Sequence, residues 1–191
     1  MPKKSTRDLI LGVAATLFAT KGFRRTTMET IANAAGRGRR TVYMYFHDKV
    51  EIYNAVVAME ISAITAPLKD IVSCQGDLSD VIHRYAQKRC EGILALLKRN
   101  PLLLKDFAQS HNRVERLRES LNEEELKIIN PYFAEILSEA GPKARYHSGD
   151  LAITFMNLLR GNDRMLISSG NEKTVAELAE IACDIFLKGI F

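Results

Sequence analysis

The stretch from Thr26 to Lys49, TTMETIANAAGRGRRTVYMYFHDK, constrains the fold more than any other part of the chain. It reads as two short helices joined by a tight turn. Thr26 with Glu29 three residues on forms a capping box that opens a helix through about Ala34. Ile31 supplies its large inward contact, while Ala32 and Ala35 are small enough to let two helices cross closely. Gly36 falls where the turn needs a positive φ. A further helix is predicted from about Arg39 to Tyr45. Val42 and Phe46, four apart, pack inward and leave Arg39, Arg40, Tyr43 and Met44 facing out. Tyr45 and Phe46 are read as core. Asp48 with Glu51 caps the next helix, and Lys49 takes its first position.

The remaining segments carry the helical period throughout. Ser5 with Asp8 caps a first helix whose apolar face is Leu9, Ile10, Val13, Ala14, Leu17 and Phe18; Lys21 and Gly22 end it. After Lys49, Ile52, Val56, Met59 and Ala63 give a fourth helix that stops before Pro67, with Lys69–Ser79 as a loop. Ile82, Tyr85, Ala86, Cys90, Ile93 and Leu97 give a fifth. Asn100 and Pro101 start a sixth, running to about His111. Arg113–Glu119 fits either a helix extension or a connection. Asn122 with Glu125 caps a seventh helix to Gly141, kinked or restarted at Pro131. An eighth helix is built on Leu151, Phe155, Leu158, Leu159 and Leu166, and a ninth, capped by Thr174, carries Leu178, Ala182, Ile185 and Phe186. No strand pattern appears. The expectation is an all-α protein of about nine helices: a helix-turn-helix domain over residues 1–48 and a helical bundle over 49–191.

Charge separates the same two parts. Residues 1–49 hold ten Lys or Arg and three acids, a balance of +7, so the remainder carries −3 of the net +4. A basic module on a mildly acidic body points to a polyanionic partner for the first part. The three cysteines, Cys74, Cys90 and Cys183, show no metal-ligand spacing and suit a reducing cytosol. No zinc site or other cofactor is expected. No leader-like segment and no apolar run of ~20 residues is present, so a cytoplasmic chain without a membrane partner is expected. The histidines are isolated, and H-E-x-x-H, G-x-S-x-G and phosphate-cradling glycine loops are all missing, so no enzyme chemistry is expected.

The outward face of the Arg39–Tyr45 helix has the chemistry to read DNA. Side chains near the start of a helix in the major groove meet base edges, while the preceding helix braces against the backbone. Arg39 and Arg40 can bond guanine in a bidentate manner. Thr41 suits a phosphate or a thymine methyl, and the Tyr43 hydroxyl suits a phosphate. Thr27 and Lys49 lie at helix N-termini, which favour anions. Arg37 adds charge beside them.

These residues resemble the N-terminal domain of the tetracycline-repressor-like (TetR/AcrR) regulators. The resemblance runs through Ala14 to Phe18, Gly22-Phe23, Thr26-Thr27, Ile31-Ala32, Ala34-Ala35-Gly36, Thr41-Val42-Tyr43, Tyr45-Phe46 and Lys49. It implies a homodimeric DNA-binding regulator, a repressor more often than an activator, released from a palindromic operator by a small-molecule effector. Carried over by position, the DNA contacts fall on Thr27, Arg39, Arg40, Thr41, Tyr43, Met44 and Lys49. Three positions depart from the pattern: Arg37 replaces a small apolar residue, Gly38 a Ser or Thr cap, and Arg40 a common glycine. They leave DNA binding standing and make the operator sequence this chain's own. The alternative is an effector-independent, weakly specific architectural protein, marked by equal affinity for random and operator duplexes.

Two further expectations concern the bundle. The apolar faces of the last two helices suit an intermolecular four-helix bundle, with Leu151, Phe155, Leu158, Leu159, Leu178, Ala182 and Ile185 at the dimer interface. His83, Cys90, Phe107, His111, Phe133 and Asn157 are candidates to line an effector pocket.

Overall fold

The computed structural model describes residues 5–74, 76–100, 102, 111–141, 145–169 and 172–190. Among them every regular element is a helix. In chain order these are α1 (Thr6–Lys21), α2 (Met28–Ala34), α3 (Arg39–Tyr45), α4 (Lys49–Ser73), α5 (Leu78–Arg99), α6 (His111–Ala140), α7 (Ser148–Ser169) and α8 (Glu172–Ile190). The predicted sixth helix, Pro101 to His111, lies almost wholly outside the described residues. None of the described helices is long and apolar enough to cross a membrane. The chain divides into two compact units, one of Met1–Glu60 with Leu96–Val114 and one of Ile61–Ala95 with Glu115–Phe191.

In the first unit, capping fixes the boundaries of the small helices. The Ser5 hydroxyl accepts from the Asp8 amide at 3.1 Å and starts α1. Gly22 closes α1 at φ 79°, and Gly36 turns the chain between α2 and α3 at φ 59°, conformations that a side chain would oppose. The predicted Thr26 cap is displaced by one residue. Thr27 is the N-cap of α2, in a reciprocal box with Thr30. Thr26 is instead fully buried, and its hydroxyl donates to the Gly22 carbonyl at 2.9 Å. A threonine at position 30 can return the bond that the sequence pattern assigns to Glu29.

The core of this unit holds most of the predicted residues, with Leu11 and Met28 added and Val13 and Leu17 only partly buried. Ile10, Ala14, Ile31 and Val42 are wholly buried, with Phe18, Ala32, Phe46, Ile52 and Val56 around them. Phe18, Phe23 and Tyr53 form an aromatic cluster with centroids 5.1–5.7 Å apart. Tyr45 departs from expectation. It is 44% exposed, because Val42 and Phe46 already fill the inward stripe of a seven-residue helix.

The proline expected to end a helix, Pro67, does not, and at Pro131 the helix does not restart. α4 continues through Pro67 to Ser73, so Lys69–Ser73 is helix rather than loop. Proline costs a backbone bond, but Ile61, Ile64, Leu68 and Ile71 keep one buried register across it. α6 likewise runs unbroken from His111 to Ala140 with Pro131 inside it, which makes residues 113–122 helical. Leu121, Ile128, Ile129, Tyr132 and Phe133 stay buried through that point. The second unit closes on an aromatic core of Tyr85, Phe133, Phe155 and Phe186, with ring centroids 5.1–6.0 Å apart.

Candidate nucleic-acid interface

α3 is a short helix held from below and bare above. Val42 and Phe46 are buried at 0% and 2%, and Gly38 is its N-cap without a side-chain bond. The α2–α3 turn and α3 present Arg37, Arg39, Arg40, Tyr43 and Met44 to solvent, with Thr41 half-buried. Met44 is 79% exposed, an unusual placement for an apolar side chain and one suited to a thymine methyl or sugar. The Arg39 guanidinium sits 5.6 Å from the centre of the Tyr43 ring, one turn along. Hydrogen bonding to Tyr43 also raises the Arg39 pKa above its ordinary value. Stacking of this kind restrains the arginine fork before any partner arrives.

Thr27 and Lys49 are set differently from α3. The exposed Thr27 hydroxyl accepts from the Thr30 amide at 3.1 Å, so it holds the first turn of α2. Lys49 is turned back onto the loop between α1 and α2. Its ammonium donates to the Phe23 and Thr26 carbonyls, each at 2.8 Å, and lies 4.2 Å from the centre of the Phe23 ring. An ammonium has three donors, so one is left for a phosphate. The larger consequence is that Lys49 fixes the loop from α1 into α2, and with it the position of Thr27. One cation was missed by the sequence reading. Arg7 on α1 is exposed, with its guanidinium 5.3 Å from the centre of the Phe46 ring. Its position on the polar side of α1 carries no signal of that stack.

The pocket candidates do not gather in one place among the described side chains. His83 and Cys90 line a cavity of about 360 Å³ between α5 and α8, with Gln87, Ala179 and Cys183. There the His83 Nε2 lies 3.1 Å from Asp184 and its Nδ1 2.7 Å from the Ser79 carbonyl. Burial pushes the Cys183 thiol up to about 12, with Asp184 and Glu180 adding to the shift. Phe133 belongs to the aromatic core, and Asn157 is exposed. Phe107, and the side chain of His111, lie outside the described residues.

The dimer candidates divide in the same way. Leu151, Phe155 and Leu159 are buried within the subunit's own core. Leu178 and Ala182 are half-buried, while Leu158 and Ile185 are exposed, as are Ile153 and Ile181 beside them in sequence.

Residues 10–56 match the profile of a family described as "Bacterial regulatory proteins, tetR family". Over this segment, about a quarter of the chain, the sequence is similar to the tetR family. Two relatives match chiefly through that domain. The HTH-type transcriptional repressor KstR2 of Rhodococcus jostii is 32% identical over 71 residues, 37% of this chain and 35% of the relative. The HTH-type transcriptional regulator TtgW of Pseudomonas putida, itself uncharacterized, is 38% identical over 55 residues, 29% of this chain and 41% of the relative. The matches thus span well under half the length of these relatives. The fold is similar to that of the solved structure of the transcriptional regulator FadR from Bacillus subtilis in complex with stearoyl-CoA. That likeness has a TM-score of 0.69 at 14% identity and covers 96% of this chain and 99% of the other. At such identity it is a likeness of fold alone.

Proposed function

We propose that this chain is a sequence-specific DNA-binding transcriptional regulator, a homodimeric repressor of the cytoplasm released from a palindromic operator by a small molecule. One observation carries the reading: a seven-residue helix anchored by Val42 and Phe46 presents Arg39, Arg40, Tyr43 and Met44 outward from a basic tetR-like domain. Residues 1–48 bind DNA, and residues 49–191 bind the effector and dimerise. Arg39 and Arg40 read bases, while Arg37, Thr41 and Tyr43 set register on the phosphates. The dimer face is drawn from the exposed subset of the last two helices, Leu158, Ile181 and Ile185, flanked by Leu178 and Ala182. An isologous contact there places two copies of α3 about one DNA turn apart, ~34 Å or somewhat more.

The salt dependence of binding tests the electrostatic half of this reading. On sheared genomic duplex, the binding constant should fall steeply with salt, and Arg37→Ala should make the log–log slope shallower by about 1. Binding that is insensitive to salt would contradict it.

A further inference from the structure

Two arginines of this chain show opposite uses of the guanidinium. Arg89 on α5 is only 3% exposed. Its Nε donates to Glu125 Oε1 of α6 at 2.6 Å, and its two terminal nitrogens donate to the two oxygens of Asp163 of α7, each at 2.8 Å. Every nitrogen is engaged, and the residue joins three helices within the second unit.

Arg7, in the first unit, is the reverse case. It lies in the first turn of α1, two residues after the Ser5 cap, and is exposed. Its guanidinium is held 5.3 Å from the centre of the Phe46 ring. Among the described residues its side chain makes no hydrogen bond and no ion pair. The nearby acids in sequence are turned elsewhere. Asp8 is about 100° further round the helix, and adjacent helical residues do not face each other. After Phe46, Asp48 Oδ1 accepts from the Glu51 amide at 2.8 Å, and Glu51 Oε2 accepts from the His47 amide at 2.6 Å. A ring contact restrains the long Arg7 side chain while its five N–H donors lack an oxygen acceptor.

The place where Arg7 is held gives those donors a use. Phe46 is the C-cap of α3 and is 2% exposed, so its ring is fixed in the core. α3 is seven residues long, about 10 Å at 1.5 Å per residue. Arg37, Arg39 and Arg40 stand at its start, and Arg7 stands at its end. The major groove is about 12 Å wide, with a phosphate strand along each side. A helix that brings its start to base edges carries its other end towards the backbone. A cation fixed at that end meets phosphate, which an arginine fork bonds well.

We propose that Arg7 is a DNA-phosphate contact, so that α1 joins the surface that grips the duplex. This rests on the DNA-binding reading above. The competing role is structural: Arg7 covers Phe46 and touches no partner.

Binding of the full chain to sheared genomic duplex, measured from about 50 to about 200 mM salt, separates the two. The proteins compared are the parent, Arg7→Met and Arg7→Lys. Methionine keeps an apolar stem beside Phe46, so Arg7→Met should melt as the parent does. It should bind more weakly, with a log–log slope shallower by about 0.9, so that its disadvantage narrows about 3-fold across that range. Arg7→Lys keeps the charge and should keep the parent's slope. Sites selected from a random duplex library by Arg7→Met should carry the parent's motif, because a phosphate contact reads no base. The proposal is overturned if Arg7→Met keeps the parent's slope, if Arg7→Lys loses it, or if Arg7→Met changes base preference. It is also overturned if the melting temperature of Arg7→Met falls far enough to account for the lost affinity. A parent with a steep slope that Arg7→Met leaves untouched overturns this proposal alone. A parent that binds no duplex overturns the DNA-binding reading with it.

Discussion

Arg89→Met should lose about 3–5 kcal/mol of unfolding free energy at neutral pH, as expected when one partner of a buried ion network is removed. Its side chain is 4% exposed, Glu125's is 1% and Asp163's is 15%. The thioether occupies much of the lost volume but removes the cation that bridges the two carboxylates. Burial already holds the Glu125 carboxyl above the ordinary carboxylate range, with Arg89 pulling it down. Removing Arg89 raises it further, and the sign of the pH effect follows. The folded variant binds the Glu125 proton more tightly than the unfolded chain does. Stability from that proton is present at low pH and is lost as the pH rises through the folded pKa. Urea denaturation at pH 5 and pH 8 should therefore show a smaller deficit at pH 5. Replacing Arg89, Glu125 and Asp163 together by apolar residues should recover most of the loss. A single variant within about 1 kcal/mol of the parent at pH 8 would show the network to be energetically idle.

The second large effect belongs to α3. The double substitution Arg39→Ala with Arg40→Ala should weaken DNA binding by about 2–6 kcal/mol, taking ~1–3 kcal/mol for each bidentate base contact. Both side chains are exposed and neither caps a helix, so the fold should survive. The Arg39 stack on Tyr43 is exposed and therefore a weak contact. Fluorescence anisotropy on an operator duplex gives the affinity, and thermal melting gives the control. Loss of melting temperature in step with loss of affinity would make these residues structural. Single substitutions should separate the roles, with a base contact relaxing preference at one position and a phosphate contact weakening every duplex alike.

The N-terminal domain was legible because its determinants are local. Caps, one turn glycine and the four-residue spacing of Val42 and Phe46 act within a single helix or turn. Even so, the capping pattern was read one residue early, since Thr26–Glu29 and Thr27–Thr30 satisfy the same template and tertiary burial of Thr26 decides between them. Pro67, and the restart considered at Pro131, misled for the opposite reason. Their penalty is local, while the compensating burial of Leu68, Ile71, Tyr132 and Phe133 comes from partners distant in sequence. The Arg89 network left a faint trace. Arg89 lies one turn after Tyr85, and Glu125 one turn after Leu121, each a charge in an apolar stripe. Nothing in the sequence pairs them, because 36 residues separate Arg89 from Glu125 and 74 separate it from Asp163. The pocket residues chosen by type scattered for the same reason: helix faces were readable, but which faces meet was not.

Selection of binding sites from a random duplex library, with the full-length chain, tests the central claim most directly. An enriched inverted repeat with half-sites about one helical turn or somewhat more apart, lost with Arg39→Ala plus Arg40→Ala, is the predicted result. Failure to enrich any motif, or enrichment of a lone half-site without symmetry, would contradict the dimeric, sequence-reading account.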